Sequence, residues 1–257
     1  MSVWQKGLKN IRSPRSTAAM LEHLPQTVID RLAAKHPAKL TKVPVADGRY
    51  EEKELSEWLW ESSQVQAQLA LHTKFIQGIK SGLLDPTDYG GYTVQDAVYC
   101  SNATTYYGIA EDKSQDEIMK AFIQSRVKSY TSYTKVMFKQ WHIRDPSGVA
   151  MGAAAASYSA FEKGVAENCE PIYLLIAMLP CEKLWEWLAE QIQSGISETN
   201  VYSFWITDNL GGSSKLAHFI DAYADEYGVD LQKAKDIYHG AMQGEVNFFA
   251  SATAEVP

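Results

Sequence analysis

Residues 89–107 read YGGYTVQDAVYCSNATTYY, a stretch in which large side chains return every three or four positions. That spacing places a set of tyrosines on one face of an α-helix, namely Tyr89, Tyr92, Tyr99 and Tyr107. Asp96 falls in the middle of the same face. A buried carboxylate needs partners, because burying an unpaired polar group costs about 1–3 kcal/mol. Either neighbouring hydroxyls donate to Asp96, or Asp96 belongs to a functional site.

The same helical spacing continues through most of the chain from Glu54 onward, in long blocks separated by short breaks. No block alternates with the period of two that is typical of strands. The sequence therefore predicts an all-α bundle of about seven or eight helices over residues 54–257. Residues 1–53 carry four prolines and form a predicted N-terminal extension of irregular chain, which ends in a turn at Asp47-Gly48.

Composition narrows the classes of protein and partner. The chain has 257 residues, of which 46% are hydrophobic, so it can bury a core without disulfides or a structural metal. Its 24 basic and 31 acidic residues give a net charge of -7. No stretch concentrates the positive charge that a phosphate-binding groove requires. Nucleic acid is therefore not expected as a partner.

Neither the cysteines nor the histidines suggest a metal site. The chain has three cysteines, Cys100, Cys169 and Cys181. An odd number without metal-ligand spacing favours a reducing compartment, in which the thiols stay free. Asp236 and His239 form one Asp-x-x-His pair, whereas a carboxylate-bridged metal site in a bundle needs a second pair and two more carboxylates. No metal ion is expected.

The termini and the apolar stretches bear on location. The most apolar stretch, Tyr173–Cys181, has about half the length of a membrane-spanning helix, so no membrane partner is expected. The first 21 residues contain four basic residues and no acid, as mitochondrial presequences do. Pro14 interrupts any helix there. We therefore expect a cytoplasmic protein, with a mitochondrial location as the alternative.

Three further polar residues interrupt predicted apolar stripes. Glu245 occupies a core slot of the last helix, where it is either a general acid among aromatic rings or a residue exposed by fraying. Cys181 directly follows Pro180; a buried cysteine is commonly structural, but a proline kink also allows a side chain to be aimed inward. Tyr158 stands among small alanines, which indicates a cavity or close helix packing.

Two other features are assigned to structure. His72 lies on an apparent stripe with Val65 and Leu69, where a lone histidine is more often a core residue than a ligand. The acidic group of Asp221, Asp225 and Glu226 is interpreted as a solvated helix face.

Five short segments, in order, resemble the TenA/thiaminase II family, which has the heme-oxygenase-like all-α fold. They are HTKFIQGIKSG (72–82), YTVQDAVY (92–99), LPC (179–181), YSFW (202–205) and EVNFF (245–249). The resemblance implies that Cys181 is a nucleophile and Glu245 its acid/base. It further implies that four residues surround an aminopyrimidine ring: Asp96, Tyr99, Tyr158 and Phe248. It implies a small-molecule substrate, thiamine or an aminopyrimidine, with no cofactor and a homodimer or homotetramer.

The chain departs from the family pattern where tyrosines are usual. It has Trp185 one turn after the cysteine and Asn209 after the YSFW segment, and Tyr130 and Tyr133 replace an acidic segment of the third helix. We expect Trp185 and Asn209 to bind the substrate with the other pocket residues, so these departures bear on which substrate is used and leave the catalytic pair in place. The sequence also shows no cation beside Cys181 that would favour its thiolate.

Several alternatives follow from these departures. The function expected is that of a thiaminase or aminopyrimidine aminohydrolase, with base exchange to an external amine as a variant. A non-catalytic pigment or vitamin carrier that uses the same pocket, with Trp185 and Asn209 as adaptations, is the alternative from another class. Heme oxygenase activity would require His72 as an axial ligand.

Overall fold

The computed structural model describes residues 37–211 and 214–253. Two strands form an antiparallel hairpin, β1 (Thr41–Pro44) and β2 (Tyr50–Lys53). The helices are α1 (Leu55–Glu61), α2 (Gln64–Leu71), α3 (Lys74–Ser81), α4 (Pro86–Lys113), α5 (Glu117–Gln140), α6 (Ala153–Asn168), α7 (Pro171–Met178), α8 (Pro180–Ile192), α9 (Ser203–Asn209), α10 (Ser214–Tyr223) and α11 (Leu231–Ser251), with a 3-10 turn at Pro146–Gly148.

The predicted all-α class is confirmed, although the helices outnumber the seven or eight expected. The extra helices arise where the chain turns sharply. Residues 55–81 divide into three short helices, and Pro180, which has no N–H to donate, begins α8 directly after α7.

Aspartates fix where three of the long helices begin. Asp85, Asp116 and Asp230 stand at the N-caps of α4, α5 and α11, and each carboxylate accepts a backbone N–H at 2.7 Å. Such caps contribute about 1 kcal/mol each, because they satisfy amides that have no partner inside the helix. These ends set the register of the helices that form the centre of the molecule.

The core lies where α4, α6, α7 and α11 meet, with α5 along the outer side of α4. The tyrosine face predicted for α4 is buried, and Asp96 on that face is only 3% exposed. Glu245 is fully buried on α11, and α11 continues past it to Ser251. The fraying alternative for Glu245 is therefore wrong.

The segment before α1 is more ordered than expected. Irregular chain was predicted, but residues 41–53 form the hairpin, with the predicted turn at Gly48 in the left-handed region at φ 81°. The indole N–H of Trp58 in α1 donates to the carbonyl of Pro44 at 3.0 Å, which fastens the hairpin to the helices. Residues 1–36 of the extension lie outside the described residues, and the domain boundary at residue 53 stays a prediction.

The core assignment of His72 is wrong. Val65 and Leu69 are 70% and 52% exposed, and His72 is exposed as well. The stripe breaks because α2 ends before His72 and a new helix begins at Lys74, so the two halves of the stripe face different directions. The His72 Nδ1 lies 2.7 Å from the carbonyl oxygen of Gln68, which places the ring at a helix end near the surface.

Asp221 is also not the solvated residue that its acidic neighbours suggested. It is 3% exposed, whereas Asp225 and Glu226 are exposed as expected. Its carboxylate accepts the backbone N–H and the hydroxyl of Ser56, each at 2.7 Å. Asp221 therefore joins α10 to α1, and the charge pattern alone could not reveal this because the partner is 165 residues away.

Candidate active site

A buried cluster forms around the sulfur of Cys181, at the first turn of α8. The Sγ lies 3.1 Å from the hydroxyl oxygen of Tyr99 on α4 and 3.3 Å from that of Tyr158 on α6. The two tyrosine rings stack on one another with their centroids 5.0 Å apart. All three side chains are buried. The sulfur therefore faces hydroxyl groups.

Glu245 of α11 joins this cluster through Tyr158. The Tyr158 hydroxyl donates to Glu245 Oε1 at 3.3 Å, and the indole N–H of Trp185 donates to Oε2 at 3.0 Å. The cysteine and the glutamate predicted from separate stripes thus share one tyrosine. Trp185, a departure from the family pattern, supplies a hydrogen bond to the acid.

The ring of Tyr158 is closely packed on its α11 side. The ring of Tyr158 lies directly on Gly244 of α11, where an added Cβ would come within 2.3 Å of it. One turn earlier, Gly240 receives the ring of Phe161 in the same way, at 2.6 Å. The glycines let α6 approach α11 closely enough for Tyr158 to reach the residue after Gly244, which is Glu245.

Asp96 lies on the same face of α4 as Tyr99, three residues earlier, which is about 4.5 Å along the helix axis. Its carboxylate accepts the hydroxyl of Tyr133 at 3.0 Å, and the thiol of Cys100 lies 3.9 Å away. The expectation that a neighbouring hydroxyl donates to Asp96 is met by Tyr133, on α5. This bond fixes the carboxylate next to the tyrosine face.

Aromatic rings pack around Tyr99 and Trp185. The Phe248 ring packs against Tyr92 and Tyr99, with centroid distances of 4.7 and 6.2 Å. Trp185 packs against Phe249 at 5.3 Å. Flat faces of this kind suit the stacking of a flat ligand.

Asn209 is connected to the cluster through a tryptophan. Its side-chain amide donates to the carbonyl of Trp205, one turn earlier in α9, at 2.6 Å. The ring of Trp205 packs on Trp185 with centroids 5.5 Å apart. The structure therefore brings Trp185 to Glu245 directly and places Asn209 behind Trp205.

One member of the cluster escaped the sequence analysis. Glu162 of α6 is fully buried, and the hydroxyl of Tyr99 donates to its Oε1. A signal for it exists, since Glu162 follows Tyr158 by four residues and so shares its face of the helix. The apolar neighbour Phe161 was placed on the stripe instead, and it is only partly buried.

Burial and nearby negative charge keep the two tyrosines protonated. Burial raises the pKa of Tyr99 well above its usual range, and the charges of Cys181 and Glu162 add to the increase. The pKa of Tyr158 is likewise raised, first by burial and then by Cys181 and Glu245. Both hydroxyls are therefore neutral near pH 7, and each has one proton to donate.

Cys181 is the second residue of α8, and Leu179 before it continues the helical backbone from α7. The sequence showed no cation nearby, but the fold brings Arg126 of α5 to the next residue, Glu182, in a buried ion pair. Arg126 also lies beside Tyr107 and opposes the effect of burial, which raises the pKa of that tyrosine to about 12.

Two general properties bear on partners. In residues 37–211 and 214–253, no group of three or more His, Cys, Asp or Glu side chains is placed to hold a metal ion. Among the same residues, no helix combines the length and apolar character needed to cross a membrane.

Comparison with solved structures shows the fold. A TenA family transcription regulator from Silicibacter sp. is 16% identical, with a TM-score of 0.68 over 77% of this chain and 96% of that one. A candidate TenA-like thiaminase from Sulfolobus solfataricus is 18% identical, with a TM-score of 0.61 over 76% and 94%. A Shewanella denitrificans domain with a heme oxygenase-like fold is 13% identical, with a TM-score of 0.53 over 78% and 90%.

A comparison with curated proteins finds no match. The model of the TENA/THI-4/PQQC family matches residues 61–255, which is more than half of the chain and includes every residue of the cluster. The resemblance found in the five short segments is thereby confirmed. The protein belongs to the TENA/THI-4/PQQC family.

Proposed function

We propose that the protein is a thiaminase or aminopyrimidine aminohydrolase, which replaces the thiazole or amine on the methylene of an aminopyrimidine by water. The observation that carries this proposal is the contact of one buried cysteine sulfur with two tyrosine hydroxyls, one of them bonded to a buried glutamate. Cys181, Tyr158 and Glu245 come from three different helices. A nucleophile next to an acid/base is the arrangement that covalent catalysis needs.

The chemistry follows from these groups. The Cys181 thiolate adds to an electron-poor ring carbon and forms a C–S bond, while Glu245 protonates a ring nitrogen. The electron pair of the ring then expels the substituent on the exocyclic methylene, whose C–N bond breaks with both electrons on nitrogen. Water adds to the methylene and gives one proton to the departed amine or to solvent. The C–S bond then breaks, the ring nitrogen returns its proton to Glu245, and the thiolate is restored.

The remaining residues orient the ring in this proposal. Asp96, fixed by Tyr133, accepts hydrogen bonds from the exocyclic amine and from a protonated ring nitrogen. Tyr99 and Phe248 flank the ring, and Trp185 holds Glu245 through its indole N–H. No cofactor enters any of these steps.

The test is incubation with thiamine and, separately, with aminomethylpyrimidine, followed by chromatography for hydroxymethylpyrimidine. Release from neither substrate would overturn the proposal, and tight binding without turnover would favour the carrier alternative. Adding aniline separates hydrolysis from base exchange, since only exchange yields an aniline adduct of the pyrimidine.

Cysteine variants localise the chemistry. Cys181→Ala is expected to lower kcat by at least about 10³-fold with unchanged helicity, because the nucleophile is gone. Cys169→Ala is the matched control, since Cys169 lies after α6 and is only partly buried. Mass spectrometry of wild-type protein denatured during turnover should find the pyrimidine on Cys181.

A further inference from the structure

We propose that Glu162 prepares Cys181 for attack by receiving its thiol proton through the hydroxyl of Tyr99, which makes Glu162 a positioning residue for the cysteine chemistry proposed above. Two contacts and burial support this. Tyr99 lies 3.1 Å from the sulfur and donates a hydrogen bond to Glu162, and its side chain is buried. Glu162 itself is fully buried.

The single proton of the Tyr99 hydroxyl determines the direction in which the thiol proton of Cys181 can move. A neutral tyrosine has one proton, and Tyr99 donates it to the Glu162 carboxylate. The phenol oxygen is then an acceptor, so it holds the S–H of Cys181. As the thiol proton moves to the Tyr99 oxygen, the phenol proton moves to Glu162. A thiolate and a neutral carboxylic acid result, Tyr99 stays neutral, and the net charge is unchanged.

The alternative acceptor is Glu245, reached through Tyr158. Tyr158 lies 3.3 Å from the sulfur, and its hydroxyl donates to Glu245 at 3.3 Å. The proposed reaction, however, requires Glu245 to be protonated when it acts on the ring nitrogen, so a carboxylate at Glu245 is not available for the thiol proton at that step. Two acids then divide the work, with Glu162 receiving the thiol proton and Glu245 supplying one to the substrate. The proton on Glu162 returns to the sulfur by the same path when the C–S bond breaks.

The groups around the sulfur and Glu162 must be considered in any dependence on pH. The other ionisable side chains that act on them include Tyr107 of α4, Tyr158 of α6, and Tyr238 and Glu245 of α11, with Arg126 of α5 beside Tyr107. These tyrosines keep their protons to high pH, and Arg126 is paired with Glu182.

The kinetic test uses Glu162→Gln, which preserves an acceptor for Tyr99 but no longer takes a proton. We expect kcat/KM near pH 7 to fall by about 10²–10⁴-fold, the usual contribution of a general base, because no side chain then takes the thiol proton as the sulfur attacks. The deficit should shrink as the pH rises, because more of the cysteine is then a thiolate before attack. Glu162→Asp retains a carboxylate and should recover at least about tenfold of the loss. Glu167→Gln, an exposed glutamate of the same helix, is the control and should match wild type.

A second measurement needs no substrate. The ultraviolet absorbance of the thiolate is titrated in resting protein, with each protein compared to its Cys181→Ser counterpart. Removing the Glu162 charge should lower the midpoint of Cys181 ionisation by at least about one pH unit, because a carboxylate opposes a neighbouring thiolate. Glu162→Gln then ionises its cysteine more readily and yet works more slowly at pH 7, a combination that loss of packing alone would not give.

Equal midpoints in wild type and Glu162→Gln would overturn the inference, even in an active enzyme. So would a parallel pH profile for the two proteins, or a Glu162→Asp variant as slow as Glu162→Gln. If wild type turned over neither substrate, the proposed function would fail. The titration would still show whether the carboxylate and the sulfur share a proton.

Discussion

Replacing Gly244 by alanine tests whether the close approach of α6 and α11 positions the site. The added Cβ would lie 2.3 Å from the Tyr158 ring, against an ordinary contact of about 3.5 Å, so the ring must move by about 1.2 Å. It moves away from α11, which carries Glu245. The Tyr158 hydroxyl starts 3.3 Å from Glu245, so this bond should be lost. A displacement of about 1 Å in a site lowers kcat/KM on the order of 10²-fold.

The effect on stability is measured against Gly164→Ala in α6, where an added Cβ meets nothing within 4 Å. Both changes gain helix propensity of about 1 kcal/mol, so the propensity cancels in the comparison. Overpacking then leaves Gly244→Ala less stable than the control by about 1–3 kcal/mol, or roughly 2–12 °C in Tm. Circular dichroism melts and the chromatographic assay measure both effects. Two variants with equal Tm and equal activity would refute the reasoning.

Three further perturbations concern buried polar groups outside the site. Burial raises the pKa of the Asp221 carboxyl group, although the hydrogen bonds from Ser56 act in the opposite direction. The folded state therefore binds the carboxyl proton more tightly than the unfolded state does. The folded protein loses stability as the pH rises through the folded-state pKa. The Tm of Asp221→Asn minus that of wild type should therefore be more positive at pH 7.5 than at pH 4. An equal Tm difference at the two pH values would contradict this. Glu182→Ala removes the carboxylate that pairs with the buried Arg126 and should cost about 3–5 kcal/mol in urea unfolding, while Arg126→Met with Glu182→Leu recovers most of it. Asn200→Ala removes bonds to two carbonyls and one amide and should cost about 1 kcal/mol per bond by the same assay, with a loss below 1 kcal/mol in total as the contrary result.

The sequence predicted the fold class well because helical periodicity is local. The faces of α4 and α11 were identified residue by residue, including the two carboxylates that lie on them, Asp96 and Glu245. Helix boundaries were less accessible. The apparent stripe through His72 failed because a helix end between residues 71 and 74 changes which way the side chains point. The sequence did not predict the hairpin at residues 41–53, because its strands are only four residues long and mostly exposed.

Partnerships between distant residues could not be predicted from any one stripe. Asp221 and Ser56 are 165 residues apart, and Glu182 meets Arg126 only because α5 and α8 pack together. The same holds for Gly244, which looks like an ordinary weak helix position until the Tyr158 ring is seen on it.

Glu162 differs from these, because its position was predictable in part. Helical spacing already gives α4 and α6 two polar side chains each on a buried face, and each pair lies about one turn apart: Asp96 with Tyr99, and Tyr158 with Glu162. Once the Gly244 contact fixes how α6 lies on α11, Tyr158 is held between the sulfur and Glu245, and Glu162 is carried one turn further to the hydroxyl of Tyr99. Each acid then lies next to Cys181 through its own tyrosine. This arrangement follows from helical spacing and one close helix contact, and it gives the two acids different neighbours, as the proposed division of their roles requires.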